Sequence, residues 1–451
     1  MPLHIRFTAY EVRKTHWLSF ERLEPEPVTS ELKAVSSYLA KRFGIYQIWD
    51  VKTVKDGQRT FLKNLENKGA INIIRENEDS MELMVDGNRK VQLGKLLQSR
   101  SITYVVSSDR SPPPYYPATP KTNSRLSSPK TRPISPYSRL SYDSNSFNKR
   151  VLDWRDYYPL HFINDFMTSL EKQYPSTCTV LSLGKTVEGR DIKVLKVSNS
   201  DAGNTGVWMD GAIHAREWIS ASVVTYIANH VARHFTKSSK HITNKDWYFA
   251  PVLNPDGYEY SHSTDRMWRK NRSRLGNKIV GVDLNRNFGN TWTFQSSACD
   301  PSHQNYPGQQ PFSEPECAAV KDLILYSGIR FKIFLTFHAY SELISFPWCF
   351  TNVPCPDYVT LLEGATVITK AMYDTTGRMY KVGNFRDLMY HAEGTSIDWS
   401  YGVANIPYSY LVELRSKEHK FLLPKDQILD CCKESLSGVL ALVEFVDKKK
   451  L

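Results

Sequence analysis

His214 and Glu217 stand three residues apart in Gly211-Ala212-Ile213-His214-Ala215-Arg216-Glu217-Trp218. Where a strand passes into a helix, that spacing can turn an imidazole and a carboxylate toward one divalent ion. The pair alone is weak. With twelve histidines and a ~5% chance of Glu at the third place after each, about 0.6 such pairs arise by accident. A surface histidine beside a helix-starting glutamate has the same pattern, so the meaning of this pair depends on the rest of the chain.

Six further blocks follow in order. They are Asn254-Pro255-Asp256-Gly257-Tyr258, Met267-Trp268-Arg269-Lys270, Gly281-Val282-Asp283-Leu284-Asn285-Arg286-Asn287-Phe288, Phe337-His338-Ala339-Tyr340-Ser341, Gly394-Thr395-Ser396-Ile397-Asp398-Trp399 and Val412-Glu413-Leu414-Arg415. In identity, order and spacing they resemble the motifs of the funnelin zinc metallocarboxypeptidases, the family of the carboxypeptidases A and B. The resemblance runs through residues 151–451 and is too extended for chance.

The resemblance implies a zinc-dependent exopeptidase that hydrolyses the C-terminal peptide bond. His214, Glu217 and His338 correspond to three zinc ligands for one Zn²⁺ per chain, which leaves a fourth position for water. Glu413 corresponds to the general base and acid, and Arg269 to the cation that stabilises the developing oxyanion. Asn285 and Arg286 correspond to the groups that grip the free C-terminal carboxylate, for which a planar guanidinium offers two parallel hydrogen bonds. Tyr390 aligns with a mobile tyrosine that caps the bound residue; Arg216 reads as a contact to upstream substrate, and Asp283 either as a partner that orients His214 or as a structural carboxylate. Ile397 aligns with the floor of the pocket for the departing side chain. Basic-specific relatives carry an acid there, so Ile397, with Phe385, Met389 and Leu411 as neighbours, implies apolar or aromatic C-terminal residues. The bulk of Phe385 and Leu411 would shift the preference from Phe or Tyr toward Leu or Met. Glu393 and Asp387 are the acids nearby that could still admit basic substrates. A non-catalytic relative normally lacks a ligand or the base, and all four residues are present here.

Some features depart from the family pattern or stand outside it. Cys299 aligns with one half of a disulfide found in secreted relatives, but its partner position is Ile279, so that bridge is missing. Residues 400–412 are one longer than in the carboxypeptidase A pattern. Lys270 and Arg272 read as a solvated basic loop. The sequon Asn271-Arg272-Ser273 lies beside Arg269 and is read as unused. Cys349 and Cys355 stand close enough in sequence to close a short loop.

The elements that must position these residues alternate in type. Residues 162–174, 220–235 and 314–326 have helical periodicity. Residues 192–197, 206–209, 247–252 and 332–337 are short apolar runs of the buried-strand kind. The alternation predicts an α/β domain, an α/β/α sandwich around a mixed central sheet, as in the carboxypeptidases. Upstream, residues 45–51, 70–75, 81–85 and 102–106 read as strands and 58–67 and 89–100 as helices. The order βαββαβ predicts a small ferredoxin-like α+β unit, which the resemblance makes an activation propeptide over residues 44–108.

The remainder bounds the function. The chain has 451 residues and a net charge of +11. Residues 110–150 hold eight Lys or Arg and one acid, so most of the excess lies in one tract and does not mark a nucleic-acid-binding face. Residues 109–150, with eight of 24 prolines, read as a Pro/Ser-rich basic linker ending in Asn148-Lys149-Arg150, a site suited to a trypsin-like activating protease. Residues 1–43, with a short helix expected over 31–43, receive no function. No apolar run reaches the roughly 20 residues of a membrane span, and Met1–Phe20 has no signal-peptide pattern, its apolar runs being broken by charge. The family is nonetheless secreted, so the expectation is a secreted monomeric zymogen with peptide or protein C-termini as substrates.

Overall fold

The computed structural model describes residues 46–52, 55–67, 70–76, 79–86, 90–108, 152–289 and 300–449. The expected 31–43 helix, the linker with its cleavage site, and Cys299 lie outside the described residues.

The first unit is built from strands β1 (Tyr46–Lys52), β2 (Asn72–Glu76), β3 (Ser80–Asp86) and β4 (Thr103–Ser108), with helices Asp56–Asn67 and Lys90–Ser99 in the two crossovers. In β1 the alternation expected of a half-buried strand is met by Gln47, Trp49 and Val51, which point inward. The helices add Leu62, Leu93 and Leu97 to a core with Ile73 and Leu83. Strand order β2-β3-β1-β4, with β1 antiparallel to both neighbours, is the ferredoxin-like arrangement read from the sequence.

The larger part is an eight-stranded sheet. Its strands are β5 (Cys178–Lys185), β6 (Asp191–Val197), β7 (Thr205–Asp210), β8 (Lys245–Ala250), β11 (Phe331–Ala339), β12 (Leu343–Phe346), β13 (Lys381–Asn384) and β14 (Tyr408–Leu414), while β9 (Arg274–Leu275) and β10 (Lys278–Ile279) form a separate hairpin. The order is β13-β12-β14-β11-β7-β8-β6-β5. The centre β14-β11-β7-β8 is parallel and both flanks contain antiparallel pairs, so the sheet is mixed.

Strand alternation sends side chains to two different cores. Val207 and Met209, Trp247 and Phe249, Leu335 and Phe337, and Tyr410 and Val412 pack beneath helices Leu160–Gln173, Trp218–His234, Tyr358–Thr376 and Ile428–Lys448. The intervening Trp208, Tyr248, Phe334 and Leu411 join a second core with helix Pro315–Tyr326 and Ile397 of helix Ser396–Gly402. His338 and Glu413 are on the strand positions that alternate with the first set, so they share the second face. The chain leaves β7 toward β8 and returns to β11 on the other side. A crevice therefore opens at the carboxyl ends of β7 and β11, where open α/β sheets bind ligands.

The six described cysteines are unbridged and buried. Cys349 and Cys355, which the sequence left open as a pair, are not bridged: nearness in sequence does not aim two sulfurs at each other.

Candidate active site

A tight turn at the end of β7 carries the first two site residues. A Cβ at Gly211 would meet the Ser220 carbonyl oxygen at 2.8 Å, so only glycine lets the strand end approach the helix this closely. Ser220 Oγ accepts from Ala212 N at 2.8 Å, and Asn254 Nδ2 donates to Ile213 O at 3.1 Å. Glu217 then stands at the N-terminal boundary of the buried helix Trp218–His234, its side chain making no cap bond. The third residue, His338, lies near the end of β11 in register with Glu413 of β14.

These three side chains meet. His214 Nδ1 lies 2.8 Å from Glu217 Oε1, His338 Nδ1 lies 3.0 Å from Glu217 Oε2, and the two Nδ1 atoms are 3.1 Å apart. All the donor atoms fall within 4.8 Å of one another, and all three residues are buried. Four ligands at the usual zinc distances of about 2.0–2.1 Å stand roughly 3.3 Å apart in a tetrahedron. Two imidazole nitrogens and a carboxylate at this spacing fit that ion.

The outer ring nitrogens have partners of their own. His214 Nε2 lies 3.1 Å from Asp283 Oδ1. His338 Nε2 lies 3.1 Å from Thr336 Oγ1, which donates to Asp210 Oδ1 at 2.7 Å. Such contacts fix ring orientation and leave Nδ1 facing inward. Thr336 and Asp210 escaped the sequence reading; the available signal was Thr336 two places before His338, on the same face of one strand.

Charges are tightly coupled. Against its own burial, Glu217 is held far below the ordinary carboxylate range by the two histidines. Asp283 is held far below as well, chiefly by Arg269 and then His214. Burial, reinforced by the charge of Glu217, pushes Glu413 up to about 7. Glu413 Oε2 is buried without a hydrogen-bond partner among the described residues. Arg269 gives Nε and Nη2 to Asp283 Oδ2 at 3.1 and 2.7 Å, and its Nη1 faces His214 Nδ1 at 3.2 Å.

Lys270 and Arg272 are not the solvated loop the sequence suggested. Lys270 is buried and donates to Pro301 O and His303 O at 2.8 and 3.1 Å, and burial lowers its ammonium to about 8. Arg272 lies 3.5 Å over the Tyr260 ring. Asn271 is fully buried, with Nδ2 donating to Glu314 Oε2 at 2.6 Å and to Glu316 Oε2 at 3.3 Å. In the folded protein its sequon is closed to a glycan. Burial, with the charge of Glu314 added, pushes Glu316 up to about 8.

On one side of the metal-type cluster, Asn285 accepts from Ser396 N at 2.8 Å. Arg286 donates to the hydroxyl of the half-exposed Tyr390 at 3.1 Å. Ile397 is fully buried with Phe385, Leu411 and Cys349, and the partly buried Met389 packs against them. Asp398, an acid next to Ile397 that the sequence reading passed over, turns away and accepts from Cys349 N at 2.9 and 3.0 Å. Glu393 faces His391 at 3.0 Å, and the Asp387 amide donates to Asn384 Oδ1 at 2.8 Å.

Arg216, Tyr340, Lys420 and Phe421 form a second group, with Arg216 and Tyr340 near the charge of Glu217. The Arg216 guanidinium is 4.1 Å over the Phe421 ring, and Tyr340 meets Phe421 at 4.8 Å. The small N-terminal unit reaches this rim: Lys420 Nζ donates to Ile73 O of β2. Ile73 N in turn donates to Glu66 Oε1 at 2.8 Å, and the Glu66 charge acts on Arg216, Tyr340 and Lys420.

The sequence profile of the zinc carboxypeptidase family, peptidase M14, matches residues 163–438. Carboxypeptidase B of Astacus astacus is 37% identical over 298 residues, 65% of this chain and 98% of its own length. Carboxypeptidase A1 of Rattus norvegicus is 32% identical over 320 residues, 70% of this chain and 75% of its own. The solved structure of thrombin-activatable fibrinolysis inhibitor matches with a TM-score of 0.71 at 26% identity, over 89% of this chain and 98% of that one. Carboxypeptidase A from Helicoverpa armigera shares the fold at a TM-score of 0.69 and 24% identity, over 90% of this chain and 98% of its own.

Proposed function

The chain belongs to the zinc carboxypeptidase family, and from that premise we propose that it removes single C-terminal residues, apolar or aromatic by preference, once residues 44–108 have been cut away. The observation that carries the reading is the buried His214–Glu217–His338 cluster facing Glu413 across two paired strands. His214, Glu217 and His338 would hold the zinc. When bound, the ion supplies Lewis-acid polarisation of the scissile carbonyl and a water of lowered pKa.

The protein's own residues do the rest. Glu413, with an unpartnered oxygen and a pKa near neutrality, takes a proton from the attacking water and later delivers one to the leaving amine. Arg269, fixed by Asp283, offers its remaining nitrogen to the developing negative charge. Arg286 and Asn285 receive the substrate carboxylate, and Tyr390, already at hydrogen-bond distance from Arg286, closes over it. The departing side chain lies toward Ile397. A Lys or Arg there would meet no counter-charge from residue 397, and burying an unpaired cation is strongly unfavourable. The curated relatives carry both A and B names, so the support for the apolar preference is Ile397 and the engagement of Asp398 elsewhere.

Inhibition by the N-terminal unit is supported by the Lys420–Ile73 bond and by Glu66 acting on Arg216 and Tyr340 at the cleft rim. Secretion and activation by a trypsin-like protease belong to the same reading. The test is turnover of a blocked dipeptide by the full chain before and after limited trypsin, with and without a chelator. We expect a large rise on cleavage within residues 110–150, loss on chelation and recovery with added Zn²⁺. Equal activity before and after the cut would remove the zymogen reading, and activity indifferent to chelation would remove the zinc mechanism.

A further inference from the structure

We propose that a cavity between the β9–β10 hairpin and the segment leading into helix Pro315–Tyr326 binds a free apolar α-amino acid, the class of product that a carboxypeptidase releases. The ligand chemistry is read from the cavity walls, and the choice of an amino acid as occupant rests on the carboxypeptidase reading above.

The cavity has a volume of about 340 Å³, within the roughly 300–1,000 Å³ of small-molecule sites. Val187, Leu275, Val280 and Val282 give it an apolar wall. Val187 and Leu275 are 48% and 41% exposed, so an aliphatic group laid against them would remove apolar surface from water.

Glu314 lines the same cavity and is buried. Its Oε2 accepts from Asn271 Nδ2 at 2.6 Å and from Ser273 Oγ, and its Oε1 accepts from Ser313 Oγ at 2.7 Å. These donors are all neutral, and among the described residues no cation pairs with this carboxylate. Burial pushes the neighbouring Glu316 up to about 8, so near pH 7 the negative charge of the pair belongs to Glu314. Donors are scarce here, since Glu316 Oε1 is buried without a partner among the described residues. A buried carboxylate short of counter-charge, beside open space, favours an ammonium ion. Arg274 of β9 also lines the cavity and is exposed, which offers a cation to a ligand carboxylate. An apolar amino acid carries all three complementary parts: an ammonium for Glu314, an aliphatic side chain for the valines and Leu275, and a carboxylate for Arg274.

The residues that hold the metal-type cluster and those assigned to the substrate carboxylate do not line this cavity, but its floor hangs on their loops. Asn271, two places after Arg269, accepts from Val282 N at 2.8 Å through Oδ1, and Val282 precedes Asp283. Tyr306, in the cavity wall, accepts from Asp283 N at 2.8 Å through its carbonyl. Asn287, next to Arg286, accepts from Glu314 N at 3.1 Å. These bonds hold Glu314 in place before any ligand arrives, which lowers the cost of binding.

The experiment is isothermal titration calorimetry of the full chain in an Arg286→Gln background, which removes leucine held at the proposed C-terminal carboxylate receptor. The probes are L-leucine, isoamylamine, which lacks the carboxylate, and 4-methylpentanoate, which lacks the ammonium. Leucine should bind at millimolar concentration, isoamylamine more weakly, and 4-methylpentanoate not at all. Adding Glu314→Gln should weaken leucine by about tenfold or more, as befits loss of a hydrogen bond between charged groups. Adding Arg274→Gln, at an exposed position, should weaken leucine about threefold and leave isoamylamine unchanged, and it decides the matter if the Glu314 variant does not fold. Absence of leucine binding, undiminished binding in Glu314→Gln, equal effects on leucine and isoamylamine in Arg274→Gln, or binding of 4-methylpentanoate as tight as leucine would each overturn the proposal. Failure of the trypsin-treated wild type to release Leu from a blocked dipeptide would instead overturn the carboxypeptidase reading, which the calorimetry does not touch.

Discussion

Asp283 grips Arg269 through Nε at 3.1 Å and Nη2 at 2.7 Å, both on the single oxygen Oδ2. Its other oxygen lies 3.1 Å from His214 Nε2. One buried carboxylate thus holds both Arg269, the proposed oxyanion-stabilising cation, and the ring of His214, a proposed zinc ligand. Asp283→Asn should weaken both. We expect zinc affinity, measured by chelator competition, to fall about 10–100-fold, and kcat/KM to fall further than metal loss alone explains. Wild-type affinity in Asp283→Asn would show that the contact is merely structural.

Glu413 and His338 face each other across β14 and β11, but their substitutions should separate. Glu413→Gln removes proton transfer and leaves the donor set intact, so about one zinc per chain should remain while turnover nearly vanishes. His338→Ala should lose both. Metal content by atomic absorption and kcat on one substrate distinguish them. If Glu413→Gln kept more than about a tenth of kcat, its role as base would be wrong, since general acid–base catalysis contributes roughly 10²–10⁴-fold.

Much of this site was legible because its chemistry demands fixed residue types at fixed places. His214, Glu217, His338 and Glu413 could be found as motifs, and the fold supplied the reason they meet: alternation puts His338 and Glu413 on one face of adjacent strands. The supporting residues left no such mark. Asp210 meets Thr336 through a hydrogen bond between residues 126 apart in the chain. Lys270 and Arg272 read as solvated because charge usually is. Carbonyl acceptors for the one and aromatic faces for the other allow their burial. Whether Cys349 and Cys355 pair was left open by the sequence, since proximity along the chain carries no information on side-chain direction.

Ile397 is the residue on which selectivity should turn. Placing an acid there, as in Ile397→Asp, offers a counter-charge to a buried Lys or Arg, and kcat/KM on matched substrates ending in Phe, Leu, Lys and Arg should shift toward the basic pair. The wild type should favour Phe or Leu. A wild-type preference for Lys or Arg would mean that another acid serves the pocket.

Glu316 gives a pH dependence with a definite sign. Burial raises its folded pKa to about 8 from the ordinary 4.5, so between those values the native state holds a proton that the unfolded chain has released. Stability should therefore fall as pH rises through this window, with the loss complete above pH 8. Glu316→Gln, which cannot ionise, should flatten the fall in Tm between pH 5 and 8.5. An equally steep decline in this variant would place the titrating group elsewhere.

The central claim is exopeptidase action directed by a free C-terminal carboxylate, with Arg286 and Asn285 as its receptors. Mass spectrometry of one peptide, prepared as the free acid and as the C-terminal amide and incubated with the trypsin-treated enzyme, tests it most directly. The free acid should shed residues singly from its C-terminus while the amide stays intact. Cleavage of the amide at a comparable rate, or release of internal fragments from either peptide, would contradict the account.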